Sequence, residues 1–285
     1  MRGMDADICR AVAAAVLGDA GRVLFVPLSG QQRFTALQSG EIDVLARQTT
    51  LTLVRDATLG LRAVGVNFYD GQGFMVRKDA GVTKATDLGG ATVCVQQAST
   101  TEGNLADWAR ATGTRVQPVL FANIEQVAGA FFSGRCDALT TDVSQMAAVR
   151  STSQDPGQWV ILPDRVSKEP LGPMVRRDDQ EWFDVVRWTL NALIEAEEAG
   201  ITAANAEQQR ASNPSPTVRR LLGAEPLLGQ SLKLREAWAY DAVRAVGNYG
   251  EIFERNLGSN TPLGLSRGAN ELWTRGGLLY AWPLR

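Results

Sequence analysis

The chain carries the pattern Ser-Gly-x-x-Asp twice, at residues 39–43 and 133–137. The first copy runs on as SGEIDVLARQTTLTLVRD over residues 39–56, the second as SGRCDALTTD over residues 133–142. In each, a helix is expected to stop at the glycine, which takes the left-handed conformation of a helix C-terminus without steric cost. A short apolar strand follows, Ile42 to Ala46 in the first copy and the Cys136 segment in the second. Each strand ends in polar residues. A weak internal repeat of this kind constrains the chain towards two similar α/β lobes.

In open α/β sheets ligands lie beyond the carboxyl ends of strands. The two polar ends therefore hold the candidate ligand groups: Gln48, Thr49, Thr50, Thr52 and Arg55 in one, Asp142 in the other. Arginine offers a planar bidentate fork that matches a carboxylate. One lobe would supply positive charge and the other negative, which suits a ligand with a carboxylate and an ammonium, such as an amino acid. The pattern equally fits two ordinary helix–strand junctions, with a surface arginine and a helix-capping aspartate.

At 285 residues the chain is long enough for one large domain or two smaller ones, each with its own core. A net charge of −2 gives no electrostatic case for nucleic acid or an acidic membrane as partner. No apolar run approaches the roughly 20 residues of a membrane span. The amino terminus, MRGMDADICR, lacks the basic-then-apolar order of a secretory signal. With no histidine, Ser-His and Cys-His nucleophilic catalysis and the usual zinc constellations are excluded. Neither a metal nor a cofactor is expected. Cys9, Cys94 and Cys136 show no C-x-x-C spacing. Cys94 and Cys136 fall on two expected strands of one lobe, and form either a disulfide in an oxidising compartment or two buried small hydrophobes.

Along the chain, residues 5–17 read as a helix closed by Gly18, Val23 to Pro27 as a strand, and Gln31 to Ser39 as a helix with Phe34 and Leu37 inward. Val64 to Val76 is extended but broken at Asp70-Gly71-Gln72-Gly73. That Gly-x-Gly lacks the third glycine and following helix of a dinucleotide fingerprint. Ala91 to Gln96 is a strand, and Ser99 and Glu102 after it have capping-box spacing. A helix start rich in N–H groups and hydroxyls is also a natural anion site. Strands at 116–121 and 159–162, a helix capped by Asn123, a helix at 143–151 after Asp142, and helices at 182–199, 217–223 and 232–258 complete the reading.

The segments DADICRAVAAAVLG, RFTALQSGEIDVLARQTT, YDGQGFMV, GRCDALTTD and AVGNYGEIFERN, in this order, resemble the periplasmic general L-amino-acid-binding proteins of bacterial ABC importers. The resemblance covers essentially the whole chain. It implies an α/β, two-lobed, type II periplasmic-binding-protein fold, with two parallel-rich sheets joined by a two-strand hinge. Lobe 1 would be residues 1–70 plus 170–285, with a helical C-terminal extension, and lobe 2 the inserted residues 71–169. It implies that L-amino acids are bound between the lobes, without catalysis, and delivered by a periplasmic monomer to the permease.

Carried over residue by residue, the resemblance gives Arg55 as the clamp on the ligand α-carboxylate, assisted by the Thr50 hydroxyl and a backbone group of Gln48. The segment Ala98-Ser99-Thr100 would donate N–H and hydroxyl from the other lobe, with Ala98 standing where the family has glycine. Asp142 would pair with the ligand ammonium. Arg33 would take a side-chain carboxylate, or else be a solvent-facing helix residue. The signal and first strand that open the family's lobe 1 are missing, which leaves a fragment, a wrong start or a non-binding relative as explanations. The alternatives are an enzyme on the same fold, similar to the dehydratases of cyclic amino-acid precursors, with Asp142 or Glu102 as the acid, and a sensor module.

Overall fold

The computed structural model describes residues 1–285, which divide into two compact units. The first comprises Met1–Val26, Ala36–Phe68 and Gly172–Arg285, the second Pro27–Thr35 and Tyr69–Leu171. In chain order, α1 (Met4–Leu17) is followed by α2 (Gln32–Ser39), α3 (Leu53–Ala57), β1 (Leu61–Ala63) and β2 (Phe68–Asp70). The second unit continues with β3 (Gln72–Arg77), β4 (Thr92–Gln96), α4 (Thr100–Thr112), β5 (Gln117–Phe121), α5 (Ile124–Phe132), β6 (Ala138–Asp142), α6 (Val143–Ser151), β7 (Trp159–Ile161) and β8 (Glu169–Leu171). Back in the first unit come β9 (Met174–Arg176), α7 (Gln180–Glu198), α8 (Ala206–Ser212), α9 (Pro216–Leu221), α10 (Leu228–Ser231), α11 (Trp238–Val246) and α12 (Tyr249–Asn256). Besides the short excursion at Pro27–Thr35, the chain passes between units at β2 and β8, which pair with each other.

The second unit is built on one five-stranded sheet of order β5-β4-β6-β3-β7. It is mixed rather than parallel-rich: β4 runs parallel to β5 and β6, whereas β3 is antiparallel to β6 and β7. The period of two along each strand sorts the core into two layers. Phe74, Val76, Val93, Val95 and Ala138 pack on one face with Leu105 of α4. Met75, Cys94 and Leu139 pack on the other with Val127 and Phe131 of α5 and Met146 of α6. Within this second layer Cys94 and Cys136 form a disulfide, and Cys9 is a free thiol. Gly71 and Gly73 have a packing reason, not a nucleotide one. A Cβ at Gly71 would stand 2.9 Å from the Ser167 carbonyl oxygen, and one at Gly73 3.2 Å from that of Asp164.

In the first unit α1 ends as expected, with Gly18 at φ 73° and its N–H on the Ala14 carbonyl. Its apolar face packs on α7, α11 and α12, and Val12 joins Val64, Val175, Phe183 and Val186 in the core. The sheet here is only the antiparallel pair β1–β9. Two expected strands do not form. Val23–Pro27 enters no ladder, so it lacks the neighbour that a strand's N–H and C=O groups need, and Leu24 stands exposed. Ile42–Ala46 is reduced to one bridge between Leu45 and Met174. Side chains take the place of the ladder: Arg176 donates to the carbonyls of Leu37 and Ile42, and the Trp182 indole N–H donates to that of Asp43. The helix expected over 232–258 breaks in two at Gly247-Asn248. Asn248 and Glu251 form a reciprocal capping box that starts α12.

Candidate functional site

In the first unit the polar loop after the Leu45 bridge carries Gln48, Thr49, Thr50 and, on α3, Arg55. Thr52 caps α3 by accepting the Arg55 N–H at 3.3 Å. The buried Arg55 guanidinium is held by Nη1 donating to the Thr50 carbonyl at 2.8 Å. Immobilised in this way, its fork is directed by the loop and not by solvent. Gln48 lies at φ 38°, in the left-handed region that only glycine enters freely, and its N–H donates to the Asp5 carboxylate at 2.8 Å. The other oxygen of Asp5 accepts from Asn67, so α1 and the segment before β2 jointly fix the loop. Thr49 accepts the Gly172 N–H through its carbonyl at 3.0 Å.

The second unit holds Arg33, Ser99, Thr100 and Asp142. Because β4 and β6 are adjacent and parallel, the Ala98–Thr100 loop and Asp142 both lie at the carboxyl ends of neighbouring strands, the loop beyond β4 and Asp142 as the last residue of β6. Ala98 takes φ 55°, a left-handed conformation that glycine enters at less cost. The Ser99 hydroxyl accepts the Glu102 N–H and is itself hydrogen bonded to the Gln96 carbonyl. Glu102 reaches back to the N–H of Ala98, at 2.7 Å, and not to that of Ser99. Arg33 is buried, with its guanidinium 4.7 Å from the Phe34 ring centroid, so it is not a solvent-facing helix residue.

Asp142 is buried and precedes α6, but it does not cap that helix. The capping is done from a distance: Asp70 on β2 accepts the Ser144 N–H at 3.1 Å and the Gly71 N–H at 2.8 Å. Burial pushes the Asp70 carboxyl above its ordinary range, against the lowering effect of these bonds and of the Arg165 charge.

Sequence reasoning missed Asp70 and two further residues. Gln72, fully buried and paired with Asp142 across β3–β6, donates to the Thr101 carbonyl at 3.0 Å and the Thr140 hydroxyl at 2.9 Å. Glu169, also buried, accepts from Thr100, Asn104 and Ser167. Only the polar character of Asp70-Gly-Gln72 inside an apolar extended run hinted at the first two. Nothing in the sequence pointed to Glu169.

This fold and these strand-end loops define an extracellular solute-binding protein. The chain belongs to the bacterial extracellular solute-binding proteins, family 3, whose profile matches residues 1–203. Relatives extend the likeness through the C-terminal helices. The glutamate/glutamine/aspartate/asparagine-binding protein BztA of Rhodobacter capsulatus is 52% identical over 284 residues, covering 100% of this chain and 84% of the relative. The general L-amino acid-binding periplasmic protein AapJ of Rhizobium johnstonii is 50% identical over 285 residues, covering 99% and 83%. Among solved structures, an ABC transporter periplasmic binding protein from Brucella ovis with glutathione bound superposes with a TM-score of 0.97 at 52% identity, over 100% of this chain and 89% of that one. The family is one of binders, not enzymes. No helix is long and apolar enough to cross a membrane.

Proposed function

We propose that this chain binds L-amino acids in the periplasm and hands them, as a monomer, to the permease subunits of an ABC importer. The observation that carries the reading is the division of charge between the strand-end loops. A buried guanidinium, Arg55, sits in the first unit and a buried carboxylate, Asp142, in the second. A guanidinium matches the carboxylate of a zwitterion, and a carboxylate its ammonium. In the first unit the candidate ligand groups are Arg55, Thr50 and the main chain at Gln48. In the second they are Ser99, Thr100 and Asp142. The Ser99 hydroxyl is engaged in its own loop, so the contribution of Ser99 to a carboxylate is its N–H.

Burial of a third charge, Arg33, favours ligands whose side chain ends in a carboxylate or amide, in keeping with the ligands in the name of BztA. Glutathione, bound by the Brucella ovis relative, carries the same α-carboxylate and α-ammonium on its γ-glutamyl end, and is a second candidate ligand. The dehydratase reading gains nothing: Glu102, one of its two candidate acids, is occupied by the Ala98 N–H.

The test is thermal unfolding of the chain against L- and D-amino acids, glutathione and prephenate. A ligand at a hundred times its dissociation constant stabilises by about 2.7 kcal/mol. L-glutamate, L-glutamine, L-aspartate or L-asparagine is expected to raise Tm. A panel in which no amino acid shifts the melt overturns the proposal, and turnover of prephenate replaces it with the enzyme.

A further inference from the structure

Strands β2 and β8 each carry one carboxylate, half-buried at Asp70 and buried at Glu169, and each carboxylate grips the start of one helix. Asp70 on β2 accepts the N–H of Ser144, the second residue of α6. Glu169 on β8 accepts from the hydroxyl of Thr100, the first residue of α4, at 3.2 Å, and from the Asn104 amide one turn further on at 2.6 Å. Both helices begin at residues assigned above to the ligand: Asp142 immediately precedes α6, and Ser99 and Thr100 open α4. We infer that Asp70 and Glu169 are positioning residues, which set from the crossing strands where the ammonium and carboxylate partners of the second unit stand. The inference rests on the amino-acid-binding reading.

The arrangement has a physical logic beyond stabilisation. A helix start can be capped by its own preceding residue, as Asn123 does for α5 and Ser99 for α4. At α6 the local candidate is Asp142, and capping would spend its carboxylate on the helix. A cap supplied by Asp70 relieves Asp142 of that task while still satisfying the Ser144 N–H. Glu169 acts on α4 through the Thr100 hydroxyl and the Asn104 amide. A shift in β2 is thereby passed to the start of α6, and one in β8 to the start of α4.

The inference is tested by ligand titration of the whole chain with L-glutamate, or with whichever L-amino acid the melt selects. Asp70→Asn, Asp142→Asn and the double variant form a cycle, and Glu169→Gln stands beside them. Since burial disfavours the Asp70 charge, the amide variant is expected to fold, and the ligand-free melt verifies this. Asp70→Asn should weaken binding about ten-fold, the scale of one hydrogen bond to a charged group. It should have little further effect once Asp142 is already Asn, and little effect on the matching 2-hydroxy acid, which lacks the ammonium. Glu169→Gln should weaken both ligands alike. If Asp142→Asn weakens binding and Asp70→Asn does not, or if the two losses simply multiply, the positioning role is overturned. If Asp142→Asn leaves affinity unchanged, the assignment of the ammonium partner fails, and the role of Asp70 falls with it. Rescue by Asp70→Glu would not be expected, because the longer side chain displaces the cap.

Discussion

Asp7 on α1 and Arg255 on α12, at opposite ends of the sequence, meet in the first unit at 2.7 Å. The same carboxylate accepts from Arg10 and Asn256. Burial alone would raise the Asp7 carboxyl, but the bonds from Asn256, Arg255 and Arg10 outweigh it and hold the pKa below the ordinary value of 3.8. A depressed native pKa stabilises the fold above the unfolded pKa, and that contribution is lost as pH falls through the native value. Asp7→Asn should therefore cost about 2–3 kcal/mol near neutrality. The gap in Tm between the two proteins should hold from pH 7 down to about 4, then narrow, and close only below the depressed native pKa, where Asp7 is protonated in both states. A gap that persists undiminished at the acid end would show that the carboxylate charge does not contribute.

Arg55→Ala removes the guanidinium that Thr50 holds in the first unit's loop. Amino-acid binding measured by calorimetry should fall beyond detection, while the ligand-free melt stays close to that of the parent. Its bond to the Thr50 carbonyl lies within its own loop. Near-normal affinity would take Arg55 out of the site.

Ala98→Gly addresses the left-handed residue at φ 55°. An L-residue there costs roughly 1–2 kcal/mol, partly offset by the larger unfolded-state entropy of glycine. The variant should gain about 0.5–1 kcal/mol in urea unfolding. A loss of stability would mean that the methyl group contributes packing that outweighs the strain.

Gly172→Ala tests how tightly the backbone crosses itself next to β8. A Cβ there would stand 2.0 Å from the Gly65 carbonyl oxygen, a main-chain atom that cannot swing aside. At least about 2 kcal/mol of destabilisation is expected, the scale of overpacking without room to relax. An unchanged denaturation midpoint would contradict the crossing.

The Cys94–Cys136 bond closes a loop over a sequence separation of 42. Chain-entropy arithmetic puts its contribution at about 4 kcal/mol. Cys94→Ser with Cys136→Ser should lower the urea midpoint accordingly, and Cys9, a half-buried thiol that desolvation pushes up to about 12, should react slowly with alkylating agents in the folded protein. Rapid labelling of Cys9 at neutral pH without unfolding would contradict a raised thiol pKa.

Much of the second unit was legible because its signals are local. The alternation of Val93, Cys94 and Val95 fixes which side of β4 faces which layer, and Asn123 sits where a cap for α5 must be. The same locality explains the failure at 42–46. The apolar run there is as strand-like as the one ending at Asp142, but Arg176 and Trp182 satisfy its carbonyls from afar. The repeated Asp of the two copies also diverges. Asp137 ties to the N–H and hydroxyl of Thr92, whereas Asp43 takes a bond from Arg176.

What the sequence determined by itself is what short stretches can decide: the end of α1 at Gly18, the strand–helix alternation, and the placing of Thr50, Arg55, Thr100 and Asp142 at strand ends and helix starts. Which groups complete those residues was decided only by the tertiary structure. Asp70 caps α6 across 74 residues, Glu169 holds Thr100 across 69, and Asp5 fixes Gln48 across 43. A buried N–H or carboxylate must find a partner, but the chain does not say locally which one. That choice belongs to whichever polar group packing brings within reach.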